Sequence, residues 1–138
     1  MKQINAYLSF NGNCREVMTF YKACLGGDLQ LMTMDNLPST EDSPKGTGDR
    51  IMHSELKNDS GSIMATDMVS PEGIQAGNNF SLAVACNSED ELNKKFNALM
   101  EGGKVYEAPK MQFWGDYFGF GEDRYGTRWM FTYSPNSN

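Results

Sequence analysis

With 138 residues and a formal charge of −6, the chain has the size of one domain, and such a domain buries roughly 68% of the surface its unfolded chain exposes. The acidic balance argues against nucleic acid and anionic membrane as partners, because too little positive charge is available to neutralise phosphates. No apolar run approaches the ~20 residues of a membrane span, and MKQINAYLSF is too short in hydrophobic length to read as a signal peptide.

Residues 3–10, QINAYLSF, alternate: Ile4, Ala6, Leu8 and Phe10 fall on one face, Asn5, Tyr7 and Ser9 on the other. That period predicts a half-buried strand. After NGN, the stretch CREVMTFYKACLGG sets Val17, Phe20, Tyr21, Cys24 and Leu25 at helical spacing, with Asn13 and Glu16 as a cap signal and Gly26–Gly27 as the stop. DLQLMTM predicts a second strand. Residues 35–49, DNLPSTEDSPKGTGD, are polar and rich in Pro and Gly, which predicts a loop of lid-like length. RIMHSEL and SIMATDM, separated by KNDSG, predict a hairpin.

A second series follows SPEGIQAGN. NFSLAVAC predicts a strand, and NSEDELNKKFNALMEGG a helix capped at Ser88, acidic in its first turn and stopped by Gly102–Gly103. KVYEAPKMQF and WGDYFGFGED predict strands bent by glycine, and RYG turns into TRWMFTY. The halves share one order, strand, helix ending in Gly-Gly, then three strands, which predicts a βαβββ unit repeated at about 75 residues. The expected class is α+β, a single domain with one module over about 1–70 and the other over about 78–135. Cys14, Cys24 and Cys86 form no CxxC pair, which favours reduced thiols and a cytoplasmic location.

On these motifs the chain resembles the vicinal oxygen chelate superfamily of glyoxalase I, bleomycin-resistance proteins and extradiol dioxygenases. YLSFNGNCREVMTFYKACLGG, IMHSEL…IMATD and FWGDYFGFGEDRYGTRW resemble its PhnB-like branch, and the likeness covers nearly the whole chain. It implies two curled mixed sheets forming a cleft, helices outside, and a homodimer. Some PhnB-like proteins carry a demethylubiquinone methyltransferase name, but no glycine-rich strand-to-helix loop suited to S-adenosylmethionine is visible in this sequence.

The superfamily's enzymes polarise substrate oxygens with a divalent metal held by His, Glu or Gln. Carried over by resemblance, the four ligand positions fall at Ala6, Ala65, Ser81 and Met130. A shift of one residue gives Asn5 or Tyr7, Met64 or Thr66, Phe80 or Leu82, and Trp129 or Phe131, which is scarcely better. No metal or other cofactor is therefore expected, although a divalent ion at an unusual place stays open.

His53 is the one histidine of the chain; it matches the PhnB-like histidine and is expected to share a strand face with Ile51 and Glu55, converging with Asp67 of the next strand. It could be a general base tuned by Glu55, or a histidine satisfied within a sheet or an interface. Cys14, at a helix start, is placed where the dipole could favour thiolate.

Residues 113–133 hold nine of the sixteen aromatic side chains. Alternation in TRWMFTY sets Trp129 and Phe131 on one face and Met130 on the other; the ligand register implied by the resemblance turns Met130 to the cleft and Trp129 and Phe131 to the core, while Asp123 belongs to a tight turn. Trp114, Tyr117, Phe118 and Phe120 are then candidate walls of a pocket for a small planar or cationic molecule, or further core. Three functions stay open: a binding protein, as bleomycin-resistance proteins are; a lyase or isomerase using His53 and Glu55; and a dimeric scaffold with a filled cleft.

Overall fold

A computed structural model describes residues 1–35, 50–59 and 61–135, with the backbone of 38–39. The lid expected over 35–49 lies almost wholly outside the described residues. The chain divides into two units, Met1–Gln75 and Ala76–Asn138.

The first unit runs β1 (Ala6–Ser9), α1 (Cys14–Leu25), β2 (Asp28–Thr33), β3 (Pro38–Ser39), β4 (Ile51–Asn58) and β5 (Gly61–Thr66). Its sheet order is β1-β5-β4-β2-β3, with β1 parallel to β5 and the other pairs antiparallel. The second runs β6 (Leu82–Ala85), α2 (Glu89–Met100), β7 (Lys104–Met111), β8 (Tyr117–Glu122) and β9 (Arg128–Tyr133), in the order β6-β9-β8-β7 with β6 parallel to β9. Apart from the two-residue β3, the topologies are the same, so the α+β class and the βαβββ repeat hold.

The repeat extends to its punctuation. A Cβ on Gly27, whose φ is +109°, would stand 2.6 Å from the Lys57 carbonyl oxygen; one on Gly103 would meet the Glu122 carbonyl oxygen and come within 2.9 Å of Asp123 Cα. The second glycine of each pair is where the chain leaving the helix crosses against backbone, so no side chain fits.

Each helix covers one face of its own sheet. In the first unit Val17, Met18, Tyr21 and Leu25 of α1 are buried with Leu31, Leu56 and Ala65 of the sheet, whereas Phe20 and Cys24 stay half-buried. In the second, Leu92, Phe96, Leu99 and Met100 of α2 are buried, as are Trp129 and Phe131 of β9, with the Phe96 and Phe131 rings edge-to-face at 5.6 Å. Large apolar side chains buried to this degree contribute about 1.5–3 kcal/mol each.

The helices are capped in different ways. Ser88 Oγ accepts from the Glu91 N–H at 3.0 Å, and Glu91 Oε1 reaches back to the Asn87 N–H at 2.7 Å. That backbone hydrogen bond holds the Glu91 carboxyl below its ordinary range. At α1, Asn13 makes no side-chain cap. The task falls to Asp67, 2% exposed, whose Oδ1 accepts from the N–H groups of Gly12 at 2.8 Å and Cys14 at 3.0 Å.

Candidate functional site

The register of each sheet sorts the candidate residues into a helix-covered face and an uncovered one. In the first unit Leu8, Ala65, Ser54 and Leu31 are register partners, and their side is the one α1 covers. The opposite side carries Tyr7, Met64, Glu55 and Gln30 in one row, with His53 beside Met32 in the next. Ala6 and Ala65 therefore lie on the covered face. A slip of one residue exchanges the faces of a strand, so the uncovered positions at that level are Tyr7 and Met64, and neither supplies imidazole or carboxylate.

His53 and Glu55 share the uncovered face, but Ile51 does not join them. The pairs Met32–His53 and Thr33–Ile51 leave Met52 as a bulge, which turns Ile51 to the buried side, where it is 0% exposed. The bulge also aims the Ile51 N–H at Asp67 Oδ2, 2.9 Å away. With Gly12 and Cys14 on its other oxygen, the Asp67 carboxylate is engaged by three backbone donors and sits at the root of α1 instead of beside His53. The side chain that His53 does approach is Tyr7, its Nδ1 3.4 Å from the phenol oxygen and the ring centroids 5.9 Å apart. At that length the hydrogen bond is weak.

Cys14 is 0% exposed, its Sγ 3.4 Å from Ser54 Oγ, which itself donates to the Ala65 carbonyl at 2.9 Å. Burial pushes the thiol up to about 12, the Asp67 carboxylate adds to the rise, and Ser54 and Arg15 oppose it only in part. The dipole at the helix start does not yield a thiolate. Because the folded thiol titrates above the unfolded one, the stability tied to its neutral form is complete below about pH 9 and is lost as pH rises towards about 12. A Cys14→Ala variant is therefore expected to lose less stability across that interval than the wild type, as read from urea midpoints; equal losses would contradict the assignment.

In the second unit the row Leu82, Trp129 and Gly121 faces α2, with Val84, Phe131 and Gly119 behind it. The glycines of YFGFGE, where the sequence predicts bends, are the seats of the helix. A Cβ on Gly119 would stand 2.9 Å from Pro109 Cγ and 3.4 Å from the Phe96 ring, and one on Gly121 would meet Met100 Sδ. Tyr117 also turns this way, its hydroxyl donating to Asn93 Oδ1 of α2 at 3.2 Å. Small residues on the core side leave Phe118 and Phe120 on the uncovered side, which inverts the usual disposition of large and small side chains.

On that uncovered face Met130 stands between Ala83 and Phe120, and Thr132 between Ala85 and Phe118. Ser81, just before β6, is exposed. Trp114 belongs not to a strand but to the turn joining β7 and β8, where Gly115 has a φ of +99° and its N–H donates to the Gln112 carbonyl at 3.0 Å. The Trp114 ring is 52% exposed and lies 6.1 Å from the Phe118 ring. Arg128 was not singled out by the sequence. Its guanidinium carbon lies 5.0 Å from the centroid of Tyr106 and 5.7 Å from that of Phe120.

Among the described residues no three or more His, Cys, Asp or Glu come together as a metal site, and the carried-over ligand positions Ala6, Ala65, Ser81 and Met130 supply no imidazole, carboxylate or amide oxygen from their side chains. At the helix starts Asp67 engages the N–H groups of Gly12 and Cys14, and Ser88 engages that of Glu91, which leaves fewer donors for a cofactor's anionic groups. No helix among the described residues is long and apolar enough to cross a membrane.

Comparison with known proteins agrees with this architecture. The family model described as 3-demethylubiquinone-9 3-methyltransferase matches residues 2–132. Protein YjdN of Escherichia coli K12 is 29% identical over 136 residues, 92% of either chain. Among solved structures, protein PA1353 of Pseudomonas aeruginosa shares 34% identity, with a TM-score of 0.81 over 97% of this chain and 98% of that one. The PhnB protein of Bacillus cereus shares 23% identity, with a TM-score of 0.72 over 96% and 100%. A glyoxalase/bleomycin resistance protein/dioxygenase family enzyme of Burkholderia phytofirmans shares the fold at 12% identity, with a TM-score of 0.63 over 94% and 95%. The chain thus belongs to the PhnB-like 3-demethylubiquinone-9 3-methyltransferase family, within the glyoxalase/bleomycin-resistance fold.

Proposed function

We propose that this protein binds a small planar molecule on the uncovered face of its second unit and uses no superfamily metal centre to do so. The observation that carries the reading is the alternation in β8, where Gly119 and Gly121 seat the helix and Phe118 and Phe120 are spent on the open side. A strand selected only for packing would place its rings against α2. Flat rings over the low floor of Ala83, Ala85 and Met130 give a ligand large contact area at little entropic cost. The glyoxalase/bleomycin-resistance name borne by a relative of the same fold is in keeping with such a ligand.

The methyltransferase name of the family receives no support from the two helix starts, and no methyl transfer is derived from it. A second reading, general-base catalysis by His53 with Glu55 in the first unit, rests on their shared uncovered face and the Tyr7 hydroxyl beside His53. The binding reading is tested by titrating methionine-methyl-labelled protein with planar two-ring compounds and asking whether the Met130 methyl responds. A response requires the rings; none from the whole panel overturns the reading.

A further inference from the structure

The ligand's charge is a separate matter from its planarity. A negatively charged protein bearing an exposed aromatic face suggests a cationic guest, since ring faces attract cations. On this face, however, the cation is already supplied by the chain. Arg128 lies 5.0 Å from the Tyr106 ring centroid and 5.7 Å from that of Phe120, so both rings already have the chain's own cation beside them.

The hydrogen bonding of that guanidinium is incomplete. Glu122 is its acidic neighbour, with Oε1 3.6 Å from Arg128 Nε. That spacing allows Coulomb attraction but is too long for a hydrogen bond. The same oxygen accepts from the Tyr106 hydroxyl at 3.2 Å, which holds it back from the guanidinium. Among the described residues Arg128 Nε is buried with no hydrogen-bond partner, although the side chain as a whole keeps 20% exposure. A buried donor without a partner is costly, and a flat guanidinium offers paired N–H groups that match a carboxylate.

The geometry points to a planar carboxylic acid, bound as the carboxylate, as the ligand class of this face. Its ring system rests on Phe118, Phe120 and Met130, and its carboxylate takes the Arg128 guanidinium in competition with Glu122. This rests on the planar-ligand reading above and adds the sign of the ligand's charge.

Three matched probes separate the two claims: naphthoate, neutral acetylnaphthalene and cationic naphthylmethylammonium, each titrated into wild-type protein by calorimetry at low salt. Naphthoate should bind about tenfold or more tightly than the neutral probe, and the cation most weakly, in line with the strength of charge-assisted pairs. Arg128→Gln should bring the three probes to similar affinity, and Glu122→Gln, which removes the competing carboxylate, should tighten naphthoate alone. Equal binding of all three to wild type, or preference for the cation, would overturn the carboxylate inference while leaving a planar-ligand site in place. Failure of all three to bind would overturn both. The wild-type comparison does not depend on either variant folding.

Discussion

Asp67→Ala is expected to lower the stability of the protein by about 3–5 kcal/mol, the largest effect of any single side chain outside the apolar core. The substitution strands three donors at once: the N–H groups of Gly12 and Cys14 at the start of α1, and that of Ile51 at the bulge of β4. The carboxylate is 2% exposed, so water cannot replace it without opening the packing of α1. Asp67→Asn keeps one acceptor oxygen and should cost roughly half as much, because its amide nitrogen then opposes an N–H group. Denaturant unfolding of the two variants measures the difference. A loss below about 1 kcal/mol for Asp67→Ala would contradict the capping role and reopen Asp67 as a residue free to meet a ligand.

Gly121→Ala is expected to destabilise by about 2–3 kcal/mol through overpacking. Backbone strain contributes nothing, since Gly121 is absent from the positive-φ glycines; the cost is steric. The new methyl would meet Met100 Sδ and lie 2.7 Å from the Lys104 carbonyl oxygen, so both α2 and β7 must yield. Gly119→Ala meets side-chain atoms first, Pro109 Cγ at 2.9 Å and the Phe96 ring at 3.4 Å, and should cost about half as much. The order of the two midpoints, with Gly121→Ala the lower, is the diagnostic. Near-neutral behaviour of Gly121→Ala would mean that β8 does not seat α2 on its glycine side, and the argument from the displaced phenylalanines would fall with it.

How much of this was legible beforehand depends on whether the signal was local. The repeat was readable because both helices end in Gly-Gly and both are followed by the same strand series; Gly27 and Gly103 do the same steric work. The α2 cap was readable because Ser88 and Glu91 are neighbours. The α1 cap was not, since its acceptor lies more than fifty residues downstream, and Asn13 with Glu16 offered a plausible local substitute. Likewise, alternation in QINAYLSF set Ala6 and Leu8 opposite Tyr7 but could not say which face α1 would cover, and the ligand position that the resemblance implies at Ala6 falls on the covered side. The Met52 bulge removed Ile51 from the His53 face for the same reason: a bulge depends on the partner strand.

The aromatic segment shows the limit most clearly. TRWMFTY divided as expected, with Trp129 and Phe131 buried and Met130 opposite. In YFGFG the alternation was visible, but whether the glycines or the rings faced the helix was not. Arg128 carries no local signal because its partners are Tyr106, in an irregular stretch of β7, and Phe120 on β8, which only the folded sheet brings together. Trp114, read as part of a strand, was displaced into a turn by the positive φ of Gly115.

The measurement closest to the central claim is a methyl-resolved NMR titration of the ten methionines with planar two-ring compounds. Ring currents from a ligand on the uncovered face of the second unit should shift the Met130 methyl saturably, while Met18, a residue of α1 at 0% exposure, stays unmoved. The response should vanish when Phe118→Ala and Phe120→Ala are combined. Compounds that bind yet leave Met130 unshifted, or that shift it equally without the two rings, would contradict a planar-ligand site on this face.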